Sequence, residues 1–84
     1  KEEYMDKIFK ECTREEREDY IALLHIYFKS EGSIQKTADA MYIHKNTLQY
    51  RLNKLKEMTG YDARKPSESV ALFLAMRVAY DLNN

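Results

Sequence analysis

Asn46, Gln49, Tyr50 and Asn53 are polar side chains whose spacing puts them together on one face of a helix, with Lys45 just ahead of them. At 100° per residue they lie opposite Leu48, Leu52 and Leu55, and Glu57 shares their side. Carboxamides can pair with the N6 and N7 groups of adenine in the major groove, and a good pair gives roughly 1–3 kcal/mol of discrimination. Tyr50 suits a thymine methyl or a phosphate, and Lys45, at the helix start, suits a guanine edge. These five residues are the candidates for base contact. Lys36, His44, Thr47, Arg51 and Lys54 are the candidates for phosphate, a contact that sets register without reading sequence. Arg51 also lies close to the apolar stripe, where an acidic group of another helix is its alternative partner. His44 has three readings: a helix cap, a phosphate contact or an ordinary surface histidine. The plain alternative for the whole set is a wetted helix face.

Such a face works only if a second element fixes its angle. Ser33 is suited to cap a short helix over 34–41, with Ile34, Thr37, Ala38 and Met41 on its inner side. Tyr42, Ile43 and His44 then form a turn, and the next helix spans 45–59 and is closed by Gly60. Two short helices joined by a three- or four-residue turn are the helix-turn-helix unit, whose second helix enters the major groove. The motif spans 33–57. Its expected core is Ala38, small enough for close approach, with Ile43, Leu48, Leu52 and Leu55. Amides at the starts of both helices are expected to add phosphate anchoring.

The rest of the chain reads as support. Tyr4, Met5, Ile8, Phe9 and Cys12 recur at helical spacing over 1–12, either as an N-terminal helix or as the end of an upstream linker. Thr13 and Glu16 have capping-box spacing ahead of a helix over 14–31, with Tyr20, Leu23, Leu24, Tyr27 and Phe28 inward, flanked by Ile21 and Ile26. Gly32 is expected to end that helix in a left-handed cap. After an irregular link over 61–66, Pro66 and a Ser67 cap start a helix over 68–82. That helix, Val70 through Leu82, is apolar almost all round and should be covered on more than one side. The expected architecture is all-α, a compact helix-turn-helix bundle of about five helices, with the DNA-binding domain at 13–84.

With 84 residues, two glycines and one proline, the chain suits one small core and offers little punctuation for a many-turned β-fold. Formal net charge is zero, yet 33–56 carries five basic residues against Asp39 alone, while 1–24 carries five basic and eight acidic ones. A locally basic segment is what phosphate attraction requires. Cys12 stands alone, so no internal disulfide is available and no zinc or other metal site is expected. No stretch approaches the roughly 18 apolar residues of a membrane span. The acidic run Glu15, Glu16, Glu18, Asp19 suits surface pairing rather than a catalytic dyad. With no glycine-rich phosphate cradle either, neither catalysis nor a cofactor is expected. The start, Lys1-Glu2-Glu3-Tyr4, has no initiator methionine and no signal-peptide pattern, which predicts more chain upstream. The competing function is a helical dimerisation or interaction module, favoured by the apolar last helix and the net neutrality.

The run IHKNTLQYRLNKLKEMTG, 43–60, resembles the C-terminal helix-turn-helix domain of the PucR family, which includes sugar-diacid regulators of the CdaR type. The likeness covers about 20–82 and takes in Thr37-Ala38, His44, Asn46-Thr47-Leu48, Tyr50-Arg51-Leu52, Thr59-Gly60, Asp62, Arg64 and Pro66. Met41-Tyr42 and Gln49 depart from the usual pattern, which bears on turn packing and target sequence. The resemblance implies a bacterial cytoplasmic transcription regulator. It further implies double-stranded DNA as the partner, a homodimer in the full-length protein, and an upstream sensory or GGDEF-like region answering small metabolites. It also strengthens the placing of Thr47, Tyr50 and Arg51 on the DNA-facing helix. Fis-like DNA-binding domains are a more distant likeness.

Overall fold

The computed structural model describes residues 2–83, with side chains described for 3–81. Five helices follow one another: α1 (Glu2–Ile8), α2 (Arg14–Lys29), α3 (Ile34–Met41), α4 (Lys45–Thr59) and α5 (Pro66–Asn83). The all-α bundle expected from periodicity is what the chain forms, and no strand occurs among the described residues.

Helix α1 is shorter than its apolar spacing suggests. It ends at Ile8, and a turn closed by the Cys12 amide donating to the Phe9 carbonyl (2.9 Å) carries the chain onward. Phe9, whose amide still bonds the Met5 carbonyl at 3.0 Å, has no solvent exposure, so the expected apolar contact is made at the helix end. Tyr4 donates from its hydroxyl to the Ala71 carbonyl at 2.8 Å, and Arg17 reaches Asp6 at 3.1 Å, tying α1 to α5 and α2. The capping box forms as expected: Thr13 Oγ1 accepts from the Glu16 amide at 3.0 Å, and Glu16 Oε1 accepts from the Thr13 amide at 2.8 Å.

Two helix ends differ from expectation. Helix α2 stops at Lys29, and two successive residues, Glu31 (φ 55°) and Gly32 (φ 74°), turn left-handed. The Glu31 amide donates to Phe28 and the Gly32 amide to Tyr27, both at 3.0 Å, which satisfies the final carbonyls with the first left-handed residue one position earlier than Gly32. Helix α5 begins at Pro66 itself, so Ser67 lies inside the helix rather than capping it. Proline suits a first helical position because its missing N–H has no partner to lose there.

The core gathers Leu23 and Leu24 of α2, Leu48, Leu52 and Leu55 of α4, and Leu72 of α5, all without solvent exposure, around Ala38 and Phe9. Helix α5 turns Leu72, Ala75, Met76 and Ala79 inward and packs on α1 and α2. Its other side, with Val70, Phe73 and Leu74, is exposed in the single chain. The Leu82 side chain, the last member of the expected apolar run, lies outside the described residues.

Candidate nucleic-acid interface

The turn between α3 and α4 sets the angle of everything that follows. Ser33 caps α3, its Oγ accepting from the Lys36 amide at 3.1 Å, and Thr37, fully buried, returns a hydroxyl bond to the Ser33 carbonyl at 2.6 Å. At the other end Tyr42 is left-handed (φ 57°, ψ 39°). Its amide donates to the Asp39 carbonyl at 3.2 Å and the Ile43 amide to the Ala38 carbonyl at 3.0 Å. This is a Schellman closure, in which an apolar residue just beyond the helix folds back onto the last turn. Ala38 and Ile43, both expected in the motif core, are thus joined through the backbone, and Ile43 packs against the core. Tyr42 is 95% exposed, so its ring supplies no packing in return for the left-handed backbone.

Of the three readings of His44, the structure makes the helix cap, and the ring stays exposed. It caps α4, with Nδ1 accepting from the Asn46 amide at 2.9 Å. The amides of Thr47 and Leu48 bond the His44 carbonyl at 3.0 and 3.1 Å. The capping side chains thus occupy the Lys36 and Asn46 amides at the starts of the two helices.

With Leu48, Leu52 and Leu55 fully buried, α4 turns its opposite face to solvent. Lys45, Asn46, Thr47, Tyr50, Asn53 and Lys54 are exposed, Tyr50 to 63%. Gln49 and Arg51 are half-buried on opposite flanks. Arg51 makes no ion pair among the described residues; with Tyr50 and Lys54 it lines a shallow groove of about 210 Å³ facing Glu16, Asp19 and Tyr20 of α2. Lys54 meets Glu57 at 3.4 Å, and that carboxylate raises the lysine above its ordinary pKa. Lys36 stands exposed on α3, apart from this group.

The link after α4 adds a residue that the candidate set lacked. Gly60 closes α4 left-handed (φ 82°), its amide 2.7 Å from the Lys56 carbonyl. Asp62 follows, nearly buried, and its Oδ1 accepts from both the amide (2.9 Å) and the Nε (2.7 Å) of Arg64. The Asp62 amide in turn donates to Glu68 Oε1 of α5 at 2.9 Å. The bonds from Arg64 hold the Asp62 carboxyl below its ordinary pKa against the opposing effect of burial. The charged pair is thus complete above the usual carboxylate range and is lost as pH falls through the lowered value. Arg64 then reaches back to α4, with Nη1 at 2.6 Å from Gln49 Oε1 and Nη2 at 2.7 Å from Asn53 Oδ1. Two of the five candidate base-contact side chains are therefore oriented from outside their own helix. The sequence signal was slight: an acid and an arginine two residues apart, just past a glycine cap.

Cys12 is half-buried, and burial pushes its thiol pKa up, which suits a packing residue rather than a nucleophile. No group of three or more His, Cys, Asp or Glu placed to hold a metal occurs among the described residues, and none of the helices is long and apolar enough to cross a membrane.

Residues 20–78 match the family described as the PucR C-terminal helix-turn-helix domain. The chain is 32% identical over 65 residues to the purine catabolism regulatory protein of Bacillus subtilis, covering 77% of this chain and 12% of that protein. It is 34% identical over 55 residues to the carbohydrate diacid regulator of Escherichia coli, covering 66% of this chain and 14% of that one. The similarity thus concerns a small share of each relative's length. No solved structure gives a significant match.

Proposed function

This chain belongs to the family of PucR C-terminal helix-turn-helix domains, and from that premise we propose that it binds double-stranded DNA with sequence preference by placing α4 in the major groove. One observation carries the reading: Asn46, Tyr50 and Asn53 stand exposed on the side of α4 opposite three fully buried leucines, on a helix held by a closed Schellman turn. Lys45 and Asn46 occupy the leading turn, where side chains reach deepest, with Gln49, Tyr50 and Asn53 behind them. Lys36, Thr47, Arg51 and Lys54 hold phosphate on either side, joined by His44, which also caps the helix.

The two named relatives are regulators of purine catabolism and of carbohydrate diacids. On that basis the domain serves a metabolite-responsive regulator of the bacterial cytoplasm, with a sensory domain upstream and two copies on paired half-sites. A second reading, self-association through α5, is favoured by the exposed strip of Val70, Phe73 and Leu74. Beside it a cleft is rimmed by Lys29, Arg77 and Asp81, and a rim of mixed sign suits the self-complementary patch that a two-fold pair requires. The two readings are compatible, because a dimer presents two α4 helices.

A salt series tests the DNA reading. Affinity for duplex DNA should fall linearly on a log–log plot, with a slope of about −0.9 for each phosphate neutralised. Absence of binding to any duplex at low salt by the folded protein would overturn it.

A further inference from the structure

We infer that Arg64, outside the helix-turn-helix, is a positioning residue that sets base preference by fixing the carboxamides of Gln49 and Asn53. The inference rests on the DNA-binding reading and goes beyond it, because it assigns the orientation of two reading groups to a residue of the α4–α5 link.

The guanidinium is held on all three nitrogens: Nε by Asp62, Nη1 by Gln49 and Nη2 by Asn53, at 2.6–2.7 Å. Its base is rigid, since Asp62 accepts from the Arg64 amide as well and is itself tied to Glu68 in the first turn of α5. Guanidinium carries donors only, so each carboxamide must turn its oxygen toward Arg64 and its nitrogen away. Gln49 and Asn53 are four residues apart on one flank of α4, so a single planar cation spans both. The consequence is chemical. Both side chains offer outward N–H donors in a fixed pose, which match the acceptors of the major groove: N7 and O6 of guanine, N7 of adenine and O4 of thymine. The cytosine N4 donor is disfavoured at the same positions. Ordering two flexible side chains before DNA arrives also removes part of the entropy cost of docking them.

Lysine at this position keeps the charge but not the fork, so Arg64→Lys separates geometry from electrostatics. The experiment selects preferred duplexes from a random library with the wild-type protein. Affinities are then compared for all four base pairs at each selected position, in wild type, Arg64→Lys, Gln49→Ala and Asn53→Ala. Thermal unfolding is followed in parallel. Arg64→Lys is expected to flatten preference about tenfold at the positions that Gln49→Ala and Asn53→Ala also flatten, with the preferred base pairs there offering acceptors. Binding to non-cognate duplex should stay close to wild type. Adding Gln49→Ala to Arg64→Lys should cause little further loss of preference, because the two act on one contact. Equal weakening on every duplex would make Arg64 a phosphate contact, and a lowered melting temperature with preferences intact would make it purely structural; either result overturns the inference. A wild-type protein that shows no preference at all would overturn the DNA-reading proposal and this inference with it.

Discussion

Replacing Leu52 by alanine is expected to destabilise the domain by about 2–5 kcal/mol, read as a lowered urea midpoint at unchanged slope. Leu52 has no solvent exposure and lies between Leu48 and Leu55 on the stripe that seats α4. Truncation removes its transfer energy and leaves a cavity between helices that cannot simply close, since the Schellman turn at Tyr42 and the cap at Gly60 hold both ends of α4. Small domains have roughly 5–15 kcal/mol in total, so the loss is a large share. Tyr50→Ala, two residues away but 63% exposed, is expected to stay within about 0.5 kcal/mol. Similar costs for the two variants would mean that α4 is not seated as described.

The second large effect is electrostatic. Replacing Lys36, Arg51 and Lys54 together by alanine should reduce the salt slope of DNA binding by about three, if each neutralises one phosphate. The chain has no net charge, so its attraction to DNA depends on where the cations stand rather than on how many there are. Lys36 is on α3, while Arg51 and Lys54 lie along one flank of α4. The loss should be shared by all duplexes, unlike that of Arg64→Lys. Fluorescence anisotropy across a potassium chloride series measures it directly, and an unchanged slope would remove these three residues from the phosphate-binding set.

Much of this arrangement was legible in the residues because it depends on local periodicity. The leucine spacing of α4, the Thr13–Glu16 capping box and the glycine at position 60 each act over three or four residues, and the structure places them as their chemistry suggests. What escaped was set by contacts at longer range or by backbone choices without a strong residue preference. Tyr42 takes a left-handed backbone that favours glycine or asparagine, because the Ala38 and Asp39 carbonyls must be closed there. Helix α1 stops at Ile8, short of the apolar spacing that runs to Cys12, although Phe9 is fully buried. Arg64 reaches 15 residues back to Gln49, a pairing that no local pattern encodes. The almost wholly apolar α5 suggests cover on more than one side; within the bundle α1 and α2 pack against it, while Val70, Phe73 and Leu74 stay exposed.

The central claim, that α4 is the DNA-reading surface, is tested most directly by titrating the isotope-labelled domain with its selected duplex and following backbone amide resonances. Shifts are expected to concentrate on Lys45, Asn46, Gln49, Tyr50 and Asn53, with smaller ones at Lys36 and Lys54 and little change along α5. Shifts confined to Val70, Phe73, Leu74 and Arg77, dependent on protein concentration and indifferent to DNA, would contradict it and leave self-association as the function of this domain.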